Sequence, residues 1–216
     1  MRHASTRAIR LAALGACLAT AWTARSGASP EPSTVPALDA VVLVQDFGAF
    51  RIRFDRESAP NHVSALLSLV AGGFYDGLSF HRTIPGYLIQ TGDPNSRDED
   101  LHNDGATGAE FAIPEEPRPP DSPASHVRGT VSMAWIGNDP GSASSHWFVT
   151  VDDAPALDGH ATIVGEVVEG LEVVERISQV STFRNRSPLR RVTIERMVLV
   201  PRDEPWSAPE TSEPRQ

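Results

Sequence analysis

Lysine is absent from this 216-residue chain, and all 19 of its basic residues are arginine. Against 28 Asp and Glu they leave a net charge of −9. A chain this acidic lacks the footprint that holds a nucleic-acid backbone or an anionic membrane surface, so no nucleic-acid partner is expected. Cysteine is almost as scarce. A single one, Cys17, excludes an intramolecular disulfide, a zinc ribbon and a redox Cys-x-x-Cys pair. Beyond the N-terminus no apolar run approaches ~20 residues, which excludes a polytopic membrane protein. What is present is a 40% apolar complement, enough for a core. The 22% of charged residues argues against wholesale disorder. The length favours one large domain.

Arg2, Arg7 and Arg10 precede Leu11 to Ala24, an uncharged stretch of mostly apolar or small residues. Basic residues followed by ~7–15 apolar ones mark a secretory signal rather than a structural helix. Small-x-small cleavage sites stand at Ser26-Gly27-Ala28 and at Ala19-Thr20-Ala21. Residues 1–28 are therefore expected to be a signal peptide, and the protein to be exported, periplasmic or secreted. Taking four arginines and no acid from the net charge of −9 leaves −13 on the mature chain. Leu14-Gly15-Ala16-Cys17 also resembles a bacterial lipobox, which would leave the mature protein lipid-anchored through Cys17. Only Leu11 to Ala16 separate Arg10 from that cysteine, short for the apolar core of a signal, and free export is the favoured reading.

Residues 29–37 hold three prolines and few apolar side chains, and read as a linker. Residues 201–216 hold four prolines among Glu, Ser and Asp, and read as a disordered tail. Residues 38–200 remain as one domain. Val41 to Val44 and the alternating Phe50-Arg51-Ile52-Arg53-Phe54 form a hairpin about Gly48, with the charges facing out. Ser58 can cap a helix that Pro60 opens and Gly72-Gly73 ends. Val63, Leu66, Leu67 and Val70 line one face of it. Strands are expected at 78–84, 87–91, 130–134, 147–151, 162–168 and 192–200, with a short helix at 172–177 and a polar loop at 93–126. Many short strands with two helices suggest a β-barrel or sandwich capped by helices.

The most unusual cluster is Phe80-His81-Arg82 with Gln90 eight residues on. The whole segment Gly73 to Pro94, including Pro85-Gly86-Tyr87-Leu88, resembles the signature of the cyclophilin family of peptidyl-prolyl cis-trans isomerases. Arg128-Gly129-Thr130-Val131-Ser132-Met133-Ala134 is similar to the family's next strand. Ser144-Ser145-His146-Trp147-Phe148-Val149 resembles its Ser-Gln-Phe-Phe block, and Leu157-Asp158-Gly159 with Gly165-Glu166-Val167 the one after. The likeness covers essentially the whole domain. It implies a mainly β fold: an eight-stranded antiparallel β-barrel closed by two α-helices. It also implies a monomer acting on proline-containing polypeptides.

Rotation about an X–Pro bond breaks amide resonance against a barrier of ~18–20 kcal/mol and changes no covalent bond. No nucleophile, metal or cofactor is required. In the twisted state the prolyl nitrogen becomes pyramidal and gains a lone pair. A donor aimed at that nitrogen favours the transition state over the planar ground state. Arginine suits the task because its N–H groups form a fixed, charged fork. By resemblance Arg82 is the catalytic arginine, and Gln90 bonds substrate backbone and helps place it. The resemblance puts Phe80, His81, Tyr87, Leu88, Ala134, Trp135, His146, Phe148 and Leu157 in the substrate site. A proline slot would have Tyr87, Leu88, Phe148 and Leu157 as its walls.

The rim departs from the family pattern. Tyr87-Leu88 replaces Phe-Met. His146 replaces a glutamine, and Trp147 the phenylalanine beside it. Ala156 replaces a tryptophan, which implies weakened cyclosporin binding. Ala161 replaces a histidine, although His160 is adjacent. Trp135 takes an Asn or Arg position. A binding module with little turnover, or a lipoprotein tethered through Cys17, are the rivals from other classes, and retention of Arg82 and Gln90 speaks for the enzyme. Asp98, Glu99, Asp100 and Asp104 match no complete EF-hand and read as a solvated acidic loop. Ser145-His146 with Asp152 or Asp158 makes no nucleophilic triad, because adjacent strand residues face opposite ways. His62 and His102 read as solvent-facing.

Overall fold

The computed structural model describes residues 37–116, 125–137 and 139–207. The expected signal peptide, Cys17 and nearly all of the linker lie outside these residues, as do 208–216. Among the described residues eight strands make one antiparallel sheet: β1 (Leu38–Val44), β2 (Gly48–Phe54), β3 (Arg82–Ile84), β4 (Leu88–Thr91), β5 (Thr130–Met133), β6 (Trp147–Thr150), β7 (Ile163–Glu169) and β8 (Ile194–Pro201). Their order is β3-β4-β6-β5-β7-β2-β1-β8. The sheet curls until its two edges meet. An isolated bridge between Ser79 and Thr193 forms the seam, flanked by Phe80 N–H to Val192 O at 2.9 Å and Ile194 N–H to Leu78 O at 2.7 Å. The barrel is therefore closed by irregular backbone ahead of β3. The strand expected from residue 78 begins in the ladder only at Arg82.

Two helices pack on this sheet, α1 (Pro60–Ala71) against β8 and α2 (Leu171–Ser178) against β2. Val63, Leu66 and Val70 bury one face of α1, as the spacing requires. Ser58 does not cap it. The Glu116 carboxylate, far away in sequence, accepts the backbone N–H of Asn61 at 2.8 Å and of His62 at 2.9 Å, and lies 2.5 Å from His62 Nδ1. An acid at a helix N-terminus satisfies orphan donors and opposes the macrodipole. His62 is consequently buried at 0% exposure, not solvent-facing. The core inside the sheet centres on Trp147, whose ring meets Phe50, Tyr75 and Phe80 edge-on at centroid distances of 6.5, 6.2 and 6.0 Å.

Alternation in β2 fails at one place. Arg51 is buried beside Asp39, its Nε donating to the carboxylate at 3.0 Å and its other nitrogens to the carbonyls of Pro201, Arg202 and Glu204. Arg202 donates to the other Asp39 oxygen at 3.0 Å. Residues 201–204 are thus fastened over β1 and β2, past the point where composition places the start of the tail.

The long loop after β4 is also fastened. Asp93 is fully buried and accepts N–H groups of Asn95, Ala106 and Thr107 and the Thr107 hydroxyl. Arg191 draws in the acidic stretch, 2.5 Å from Asp104 and 3.5 Å from Asp98. His146 donates Nε2–H to the Thr107 carbonyl at 2.5 Å, and its ring lies 5.1 Å from that of His81. Burial pushes both imidazoles below the usual histidine range, His81 to about 3. Burial alone would raise Asp93 and Glu116, but the hydrogen bonds each accepts outweigh it and hold both carboxyls below their usual range.

These shifts act in two windows. A histidine depressed in the folded state binds its proton more readily when unfolded. Its contribution is complete above pH ~6.5 and drains away as pH falls. The depressed carboxylates contribute fully above their ordinary values of 3.8 and 4.5 and lose their effect below them. The urea midpoint is therefore expected to fall between pH 7 and 5, before the carboxylates titrate. His146→Gln, which keeps a donor for Thr107, should make that slope shallower and leave the slope below pH ~4 as it was. Equal slopes between pH 7 and 5 in both proteins would contradict this account.

Candidate functional site

The site begins with a turn. Tyr87 N–H donates to Ile84 O at 3.0 Å across Pro85-Gly86, and Gly86 has φ of 66°. Proline at the second position and a glycine with positive φ at the third define a type II turn. The turn fixes the β3–β4 register, in which Arg82 lies opposite Gln90 and Ile84 opposite Leu88. Gln90 in turn pairs with Phe148 on β6, and Phe148 with Ser132 on β5. Directly paired residues project from the same face of a sheet. Arg82, Gln90, Phe148 and Ser132 therefore form one row across four strands, on the face opposite Trp147 and Val149.

Over this row lies a pocket of about 260 Å³, lined by Arg82, Tyr87, Leu88, Gln90, Met133, Ala134, Trp135, Gly137, Phe148, Leu157, His160 and Ala161. Its base is a small apolar cluster of Ile84, Leu88 and Phe148, separate from the main core, against which Tyr87, Ala134, Leu157 and Ala161 pack. The exposed Arg82 guanidinium stands at the edge and donates Nη1–H to Gln90 Oε1 at 3.2 Å. Among the described residues no acidic side chain lines the pocket. Two wider clefts, of about 510 and 910 Å³, are lined by charged side chains on other faces and hold none of the expected site residues.

Eight of the eleven expected residues meet in this pocket: Arg82, Gln90, Tyr87, Leu88, Ala134, Trp135, Phe148 and Leu157. Phe80, His81 and His146 do not. Phe80 is 1% exposed with its ring against Trp147, because the backbone before Arg82 leaves the ladder and strict alternation ends there. His81 and His146 are buried under the loop that carries Gly105 and Thr107. A Cβ on Gly105 would meet the His81 ring at 3.3 Å. Burial, not the charge of Arg82, is the main cause of the lowered His146 pKa. Ser145 is structural: its hydroxyl donates to Gly92 O at 2.7 Å. A Cβ on Gly92 would come within 2.2 Å of the Ser145 carbonyl, so that approach requires glycine.

Met133 and Gly137 line the pocket without having been expected there, and His160 and Ala161, noted only as a departure at the rim, line it too. His160 had a signal. It adjoins the position where the family resemblance implies a histidine, and the turn of residues 158–160 brings it to the rim.

Comparison with known proteins identifies the family. The family model for cyclophilin type peptidyl-prolyl cis-trans isomerases matches residues 40–199. A probable peptidyl-prolyl cis-trans isomerase of Brucella abortus is 37% identical over 180 residues, 79% of this chain and 87% of that protein. Peptidyl-prolyl cis-trans isomerase B of Bacillus subtilis is 35% identical over 136 residues, 63% of this chain and 87% of its own. A Cryptosporidium parvum cyclophilin type isomerase, solved also in the presence of the dipeptide Ala-Pro, shares the fold at a TM-score of 0.65 and 23% identity, covering 75% of this chain and 98% of that one. With a family model matching residues 40–199 and a relative 37% identical over 79% of its length, the chain belongs to the cyclophilin-type peptidyl-prolyl cis-trans isomerase family.

Proposed function

We propose that this isomerase acts on X–Pro bonds of proteins outside the cytoplasm, with Arg82 as the catalytic donor and Gln90 as its placing partner. The observation that carries this reading is the Arg82–Gln90 pair at the edge of a pocket with an apolar base. The apolar base takes the proline ring. Among the described residues the Arg82 side chain makes one hydrogen bond, to Gln90, which leaves the rest of its fork for substrate. As the X–Pro bond twists, the prolyl nitrogen turns pyramidal, and an Arg82 N–H donates to its new lone pair. The planar ground state offers no such acceptor, so the contact favours the twisted state selectively. The Gln90 amide N–H groups remain donors for a substrate carbonyl, which fixes the peptide about the rotating bond. A module that only held proline segments would gain nothing from this arginine. The substrate class follows from the slot, and the C. parvum relative solved with Ala-Pro supports it.

Export rests on the order of the N-terminal residues, Arg2, Arg7 and Arg10 before the uncharged Leu11 to Ala24. The mature protein would then act as a free monomer on folding chains in the periplasm or the medium.

In a protease-coupled isomerisation assay, Arg82→Ala is expected to lower kcat/KM about 10²–10³-fold while circular dichroism stays native. Activity within twofold of wild type in a folded variant would remove Arg82 from the mechanism. Expressed from its full sequence in a bacterium, the protein should appear in the periplasm or medium with an N-terminus at Ser29 or Trp22. An unprocessed cytoplasmic chain would contradict export, and a lipid adduct on Cys17 would replace free export by anchoring.

A further inference from the structure

A polar chain lies beside the slot, buried at His126 and Ser132 and partly exposed at Ser125 and Asp158. Asp158 follows the short 3₁₀ turn Pro155–Leu157 that brings Leu157 to the pocket. Its carboxylate gathers donors from the facing segment. Oδ2 accepts the Ser125 hydroxyl at 2.6 Å, and Oδ1 accepts the His126 backbone N–H at 2.8 Å and lies 2.8 Å from His126 Nδ1. The Ser125 hydroxyl above all, then the His126 N–H and ring, holds this carboxyl well below the usual range. With Nδ1–H given to Asp158, Nε2 is an acceptor, and the Ser132 hydroxyl 3.0 Å away donates to it. The His126 carbonyl accepts Ala154 N–H at 2.7 Å. Finally, the imidazole stacks on the Phe148 ring, with centroids 6.0 Å apart and planes 17° from parallel.

The order Ser132–His126–Asp158 matches an acyl-transfer triad, but Ser132 is 0% exposed and His126 1%, so no acyl group reaches the hydroxyl. What the imidazole does reach is three parts of the slot. It backs the Phe148 floor. It holds the turn that bears the Leu157 wall. It bonds Ser132, which pairs with Phe148 and precedes Met133 and Ala134 in the lining.

We infer that His126 is a positioning residue for prolyl isomerisation, setting the separation of the Phe148 floor from the Leu157 wall so that a seated proline presents its nitrogen to Arg82. The inference rests on the reading of this slot as the isomerase site. The ring stacks on Phe148 and bonds the residue that follows Leu157, and its two nitrogens fix its plane through partners on separate segments. A slot loosened at this point still binds proline-containing chains, but the twisted bond no longer meets the arginine in register.

The test is a kinetic cycle on the purified protein with an X–Pro peptide. His126→Phe keeps an aromatic ring against Phe148 and removes both nitrogens. It is expected to lower kcat/KM about tenfold or more, with native circular dichroism and most of the loss in kcat rather than KM. Made in a Leu157→Ala background, where the wall is already gone, the same substitution should cost less than about threefold. A merely structural role would lower the thermal midpoint in both backgrounds and leave kcat/KM per folded molecule unchanged. Unchanged kcat/KM in folded His126→Phe, or an undiminished loss in the Leu157→Ala background, overturns the inference. If His126→Phe does not fold, Ser125→Ala carries the test: it loosens Asp158 alone and should lower kcat/KM at an unaltered thermal midpoint, and no loss there overturns the inference. An inactive wild type overturns the isomerase reading as well, whereas an active wild type with indifferent variants overturns this inference alone.

Discussion

The cross-strand register set by the Pro85-Gly86 turn is the constraint on which the site depends. It places Arg82 opposite Gln90, and the β4–β6–β5 pairing extends the row to Phe148 and Ser132. A slip of one residue would send every member of the row to the other face of the sheet. The same register directs Ile89 and Val149 into the core with Trp147, so the alignment of the row and core burial are decided together. Core packing thus acts as a mechanical guarantee of the distance between a guanidinium and an apolar slot.

The rest of the fold holds that row in place. The barrel seam at Ser79 and Thr193 closes just ahead of Arg82, which anchors one end of β3. The loop bearing Thr107 covers His81 and His146, and fixes the backbone on either side of the row without entering the pocket. At the far end the row passes into His126 and Asp158, and through them to the Leu157 wall. Apart from Arg82, the described residues that line the pocket include none that is always charged. A neutral slot with one fixed cation at its edge suits a reaction that creates a lone pair and moves no net charge.

Much of this was legible in the sequence, and the failures have physical causes. The alternation around Arg82 to Gln90, with a proline-glycine turn between, suffices to put both on one face. The residues of β4, β6 and the Leu157 turn follow from the same pattern and the family resemblance. The family resemblance puts Phe80 and His81 in the site, but the backbone there pairs irregularly across the seam and buries both side chains away from the pocket. His62 and His146 were misread because each is buried by a segment distant in sequence, through Glu116 and Thr107, and no local pattern announces such a cover. Arg51 failed for the same reason, since residues after β8 return to lie over it. His126 carries no local mark at all: its partners come from β5, β6 and the turn at Asp158, which only the folded sheet brings together.

The central claim is that a rigid guanidinium fork at the end of this row favours the twisted bond without changing ground-state binding. Exchange NMR on a saturating X–Pro peptide measures cis–trans interconversion on the enzyme separately from affinity, and Arg82→Lys tests the fork while keeping the charge. The account predicts that the lysine variant binds the peptide within a few-fold of wild type while on-enzyme exchange slows about tenfold or more. On-enzyme exchange preserved in the lysine variant, or an equal loss of affinity and exchange, would contradict it.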